Sequence, residues 1–149
     1  METGLSFYRG DIISYKRWQN SPAKHLDIKG HMGAVYSVKI SKDLNFIVSC
    51  SADKSVRLFK TKSGKCLFMY TGHTKRVTDC DIHPSFEMDS RSPWIISCSG
   101  DKTIRMWNTY SEHCVKVLKG HHEAVYKCSF APDGRRLVSC SEDCTVRTW

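Results

Sequence analysis

Apolar side chains recur along the chain in short bursts separated by Gly, Pro, Asp, Ser and Lys. One stretch shows the pattern. Val35, Val38 and Ile40 share one side of a first segment, and Phe46-Ile47-Val48 forms a second. Val56-Arg57-Leu58-Phe59 forms a third and Cys66-Leu67-Phe68-Met69-Tyr70 a fourth. Each burst is about five residues long and rich in β-branched and aromatic types, which predicts strands. Turn chemistry lies between them, best seen at Ala131-Pro132-Asp133-Gly134. There the proline presets φ and the glycine accepts a positive one. No ten-residue stretch has the spacing of an amphipathic helix. The expectation is an all-β chain with four strands to a unit.

The same order returns twice. Gly-His stands at Gly30-His31, Gly72-His73 and Gly120-His121, at offsets of 42 and 48 residues. After each pair come equivalent apolar sets: Val77, Cys80 and Ile82 in the second unit, and Val125, Cys128 and Phe130 in the third. A Ser-Cys-Ser follows, then an Asp that begins a tight turn (Asp53, Asp101, Asp143). The unit closes on Phe59, Trp107 or Trp149, 28, 34 and 28 residues after its histidine. The middle unit has six extra residues, and they fall in the polar, Pro-containing stretch HPSFEMDSRSPW. Ser85 to Pro93 reads as a tolerated loop extension, with a private recognition loop as the alternative. Without it the period is 42 throughout.

Units with Gly-His at the start, a Trp ending and this period resemble the WD repeat, the β-transducin-type propeller blade. The resemblance covers roughly residues 30–149. It implies a partial β-propeller of four-stranded blades. The expected boundaries are 30–71, 72–119 and 120–149, with the last blade ending before its fourth strand. Residues 1–29 are expected to hold the last strands of a preceding blade. Asp11 to His31 is 20 residues, like Asp53 to His73 and Asp101 to His121, so Asp11–Trp18 reads as a third strand and Lys24–Ile28 as a fourth. About three blades and a half do not close a ring, which takes about four to eight. The expectation is a fragment or short isoform of a longer propeller. A second copy completing it in trans, as a homo-dimer, is the alternative.

The resemblance also assigns the repeated polar residues to a network inside each blade. The sets are His31, Ser49, Asp53; His73, Ser97, Asp101, Trp107; and His121, Ser139, Asp143, Trp149. Phe59 keeps ring area but lacks an N–H donor, so the first set is expected to be one bond short, weaker by about 1 kcal/mol. Ser, His and Asp together invite a catalytic-triad reading. A set that recurs once per unit is core chemistry instead, so no catalytic residue and no enzyme is expected. Family members commonly contact partners through the third and fifth residues after the His and the residue before the turn Asp. Carried over, these include Tyr36, Arg76, Thr78, Tyr126 and Glu142, of which Tyr and Arg are favoured hot-spot types.

Composition adds three points. The net charge is +8 over 149 residues, but the basic residues are scattered in runs no longer than two. That favours a solvated surface over a nucleic-acid stripe, and a nucleic-acid-associated propeller is the second reading. Seven of eight cysteines track the repeat, Cys144 being the exception, so they read as small buried hydrophobes. They lack the paired ligand spacing of zinc, and no glycine-rich phosphate loop is present, so neither metal nor cofactor is expected. His25, His83, His113 and His122 read as surface residues. Apolar runs such as Trp94-Ile95-Ile96 are three residues, against about 20 for a spanning helix, and the N-terminus lacks a signal-peptide pattern. The function expected is an intracellular, non-catalytic scaffold that binds other proteins.

Overall fold

A computed structural model describes residues 26–86 and 94–149. The expected strand at Asp11–Trp18, Lys24, His25 and most of the second-unit insertion lie outside the described residues. Leu26, Asp27 and Ile28 are described and belong to no strand. No helix occurs among the described residues.

Among the described residues, eleven strands form three antiparallel sheets. The first sheet runs β1 (Val35–Ile40), β2 (Phe46–Ser51), β3 (Val56–Lys60) and β4 (Cys66–Tyr70), each beside the next. The second repeats it as β5 (Val77–Ile82), β6 (Trp94–Ser99), β7 (Ile104–Asn108) and β8 (Cys114–Leu118). The third holds β9 (Val125–Phe130), β10 (Leu137–Ser141) and β11 (Val146–Thr148). This is an open propeller segment of repeated sheets, not a closed ring.

The first strand of each sheet carries a bulge at the same place. The register slips between Val35 and Ser37, between Val77 and Asp79, and opposite Cys140 and Ser141 on β10. The extra residues are Tyr36, Thr78 and Tyr126. A bulge re-aims a side chain and bends its strand. It also lets Val35 and Val38 share a side although they are three apart.

The core lies between sheets. Val77, Cys80 and Ile82 of β5 pack on Val48, Cys50, Val56 and Leu58 of the first sheet. Val125, Cys128 and Phe130 of β9 pack on Ile96, Cys98 and Ile104 of the second. The thiols meet across these seams. Burial and the neighbouring Cys98 push the Cys128 thiol up, and Cys50 with burial does the same to Cys80. Both therefore stay protonated.

The second seam also carries polar contacts. Asp81 accepts hydrogen bonds from the Ser129 hydroxyl at 2.8 Å and the Phe130 N–H at 2.9 Å. His83 is half-buried rather than a surface residue: its ring meets Phe130 edge-on at 5.1 Å and lies against Gly134. Gly134 has φ +69°, and a Cβ there would run into His83 Nε2. His113 and His122 are exposed. Phe86, at the start of the extension, is buried edge-on against Phe46 at 5.6 Å.

Two apolar faces are exposed among the described residues. Val38 is 61% exposed, whereas its counterparts Cys80 and Cys128 are 0% and 1% exposed. At the other end Val146 is 75% exposed, against 0% for Val56 and 1% for Ile104.

Candidate functional site

The turns after β2, β6 and β10 emerge on one face, and each is tied down by the same polar set. The His31 Nδ1–H donates to Asp53 at 2.9 Å, and the Ser49 hydroxyl donates to His31 Nε2 at 2.7 Å. His73 pairs with Asp101 at 2.9 Å and with Ser97 at 2.9 Å. His121 pairs with Asp143 at 2.8 Å and with Ser139 at 2.8 Å. The Trp107 indole N–H donates to Ser97 at 2.8 Å and that of Trp149 to Ser139 at 2.9 Å. Phe59 packs edge-on to His31 and donates nothing. Serine accepting from indole leaves its own proton for His Nε2, which fixes the Nδ1–H tautomer.

The turn aspartates accept more than histidine. Asp53 takes the Met32 N–H at 2.9 Å, and the Ser55 N–H and hydroxyl at 2.9 and 2.6 Å. Asp101 and Asp143 do the same with Thr74 and Thr103, and with His122 and Thr145. Burial alone would raise these carboxyls. The bonds from Ser55, Met32 and His31 outweigh it and hold Asp53 well below the usual carboxylate range. His73 and Thr103 do so for Asp101, and Thr145 and His122 for Asp143. These groups face each other inside a sheet, with their polar atoms already satisfied. Such a set orders a turn, and its serines are buried: Ser49 is 6%, Ser97 0% and Ser139 3% exposed.

The glycine before each histidine has a reason the sequence did not show. Gly72 has φ +147°, where any side chain is strained, and a Cβ there would also stand 2.9 Å from the Arg105 guanidinium, which lies over Trp107 at 6.0 Å. Arg57 and Arg147 meet Gly30 and Gly120 in the same way.

Other side chains on the turn face remain available. Tyr36, Arg76, Tyr126 and Glu142 are exposed. Thr78 is half-buried, and its hydroxyl donates to the Val125 carbonyl of the next sheet. The Arg76 and Ala124 carbonyls accept the N–H groups of Gly100 and Glu142, so the third-after-His and before-Asp positions are coupled. Loss of solvent and the Glu142 charge push the Tyr126 hydroxyl up, against Arg76 nearby. Arg76 and Glu142 line a groove of about 490 Å³ to which all three sheets contribute. Lys54, Lys75, Lys102 and Glu123 also line it, and family positions did not point to them. Tyr36, Thr78 and Tyr126 lie outside the lining. Among the described residues, no group of His, Cys, Asp and Glu is arranged to hold a metal ion.

Three sheets of one design, each stitched by one polar set, match a known pattern. The WD domain, G-beta repeat family matches residues 22–60, 64–108 and 112–149. The chain belongs to this WD-repeat family. Its sheets are blades, and WD repeats imply a protein-interaction scaffold, generally a non-catalytic one. The chain is 32% identical over 81 residues to the eukaryotic translation initiation factor 3 subunit I of Aspergillus niger, covering 53% of this chain and 23% of that protein. It is 39% identical over 49 residues to the WD repeat domain-containing protein 83 of Danio rerio, covering 33% and 16%. A probable cytosolic Fe-S cluster assembly factor of Schizosaccharomyces japonicus is 36% identical over 61 residues, covering 39% and 10%. The matched stretches thus span less than a quarter of each relative. No helix among the described residues is long and apolar enough to cross a membrane.

Proposed function

We propose that this WD-repeat chain is a non-catalytic scaffold that docks another protein on its turn face. Arg76, Tyr126 and Glu142 would contact the partner around the groove, and Tyr36 would extend the contact over the first blade. Thr78 would hold the seam beneath them. One observation carries this reading. The His, Ser and Asp of each blade are bonded to one another inside the sheet, whereas Arg76 and Glu142 stand exposed at one groove with Tyr126 exposed near them. Rigid elements with free Tyr and Arg side chains are what hot spots are built from. The open faces at Val38 and Val146 would be covered by further blades, from a longer chain or from a second copy.

The test is a photo-crosslinker, p-benzoylphenylalanine, placed at Tyr126 and separately at exposed Lys116 on β8. Discrete protein adducts at Tyr126 and none at Lys116 are expected. No adduct at Tyr126, or the same adducts at both, would refute the docking face.

A further inference from the structure

We infer that the docked segment is an acidic peptide, held by its carboxylates in the groove between Lys54, Lys75, Arg76 and Lys102. The inference rests on the docking face proposed above and names the chemistry of its occupant. Lys54 comes from the first blade's turn, and Lys75, Arg76 and Lys102 from the second blade. The groove's far side carries Glu123 and Glu142 of the third blade. Only Lys102 is satisfied: its ammonium donates to the His122 carbonyl at 2.6 Å and pairs with Glu123 at 3.2 Å. Among the described residues no carboxylate is ion-paired with Lys54, Lys75 or Arg76. Three cations on a concave surface repel one another, and an incoming anion relieves that repulsion. The groove volume falls within the roughly 300–1,000 Å³ of ligand clefts, enough for a short extended stretch.

The mixed signs choose between polyanions. A nucleic-acid strand would lay phosphates along the whole groove, including against Glu123 and Glu142. A peptide places carboxylates on one wall and offers backbone N–H groups to the other. Arg76 also has the planar fork that binds carboxylate in bidentate fashion.

The experiment is fluorescence anisotropy on the 149-residue chain with a fluorescein-labelled decapeptide of alternating glutamate and glycine. Binding that weakens with salt is expected. The double substitution Lys75→Glu/Arg76→Glu should weaken it by about tenfold or more, as two exposed charge contacts are reversed. The remote double substitution Lys65→Glu/Lys116→Glu leaves the net charge equally lowered and should change affinity less than about twofold. Glu142→Gln should tighten binding. Equal losses from the two double variants would mean that the groove does not select the peptide, and would overturn the inference. A hexauridylate of equal charge that binds as tightly, and is lost with the same variant, would assign the groove to nucleic acid instead. No decapeptide binding while Tyr126 still crosslinks a protein overturns the acidic occupant alone. No binding and no crosslinking overturns the docking face as well.

Discussion

A single indole nitrogen separates the first blade from the other two. Trp107 satisfies a Ser97 hydroxyl that is fully buried, and Phe59 stands where that donor would be. Trp107→Phe should therefore make the second blade resemble the first, lowering stability by about 1–2 kcal/mol in urea unfolding, from a lost hydrogen bond and some ring area. The aspartates set a pH dependence. Their folded pKa values lie below the unfolded ones, so their contribution is complete above the unfolded value of about 4. It is lost as pH falls. Unfolding midpoints should be level near pH 7 and decline from about pH 5 downward, and Asp101→Asn should flatten that decline. At this scale the histidines, serines and aspartates were legible because they recur at one offset. The third-strand arginines recur as regularly, yet their role was hidden. Only packing shows Arg105 filling the space a Gly72 side chain would need.

Among the elements, spacing carried more than strand positions. Apolar residues in a regular strand sit two apart, but Val35 to Val38, Val77 to Cys80 and Val125 to Cys128 are three apart. That break is the signal of the bulges at Tyr36, Thr78 and Tyr126. The seams between blades were illegible. Asp81 has no counterpart in the other units, where the position holds Lys39 and Ser129, so repetition gave it no weight. Asp81→Ala removes the acceptor for Ser129 and the Phe130 N–H. It should cost about 1–3 kcal/mol, seen by hydrogen exchange as selective loosening of β9–β11. The extension was expected to be loop, yet Phe86 packs into the core beside it. Phe86→Ala should lower stability by about 3–5 kcal/mol, measured by thermal unfolding. Groove residues such as Lys54 and Lys75 were missed for another reason: scattered in sequence, they converge only through the stacking of blades.

At the scale of the molecule, the decisive feature is that the two outer sheet faces of the described residues match. Val35, Val38 and Ile40 are exposed at one end and Val138 and Val146 at the other, and their counterparts form the internal seams. Apolar faces of this kind associate. A head-to-tail contact repeats until it closes or runs on. Light scattering on the 149-residue chain should show species heavier than 17.1 kDa, growing with concentration. Val38→Lys with Val146→Lys should return it to a monomer, since both positions are already in solvent.

The matching ends also bear on how such a chain changes length over generations. A duplication of one 42-residue period in the coding sequence inserts a unit whose front fits the back it lands on. Its own back fits the front it displaces. No interface has to be invented, and no residue elsewhere has to adjust. Recombination can thus add or delete blades one at a time, and the fold inherits its size as a whole number.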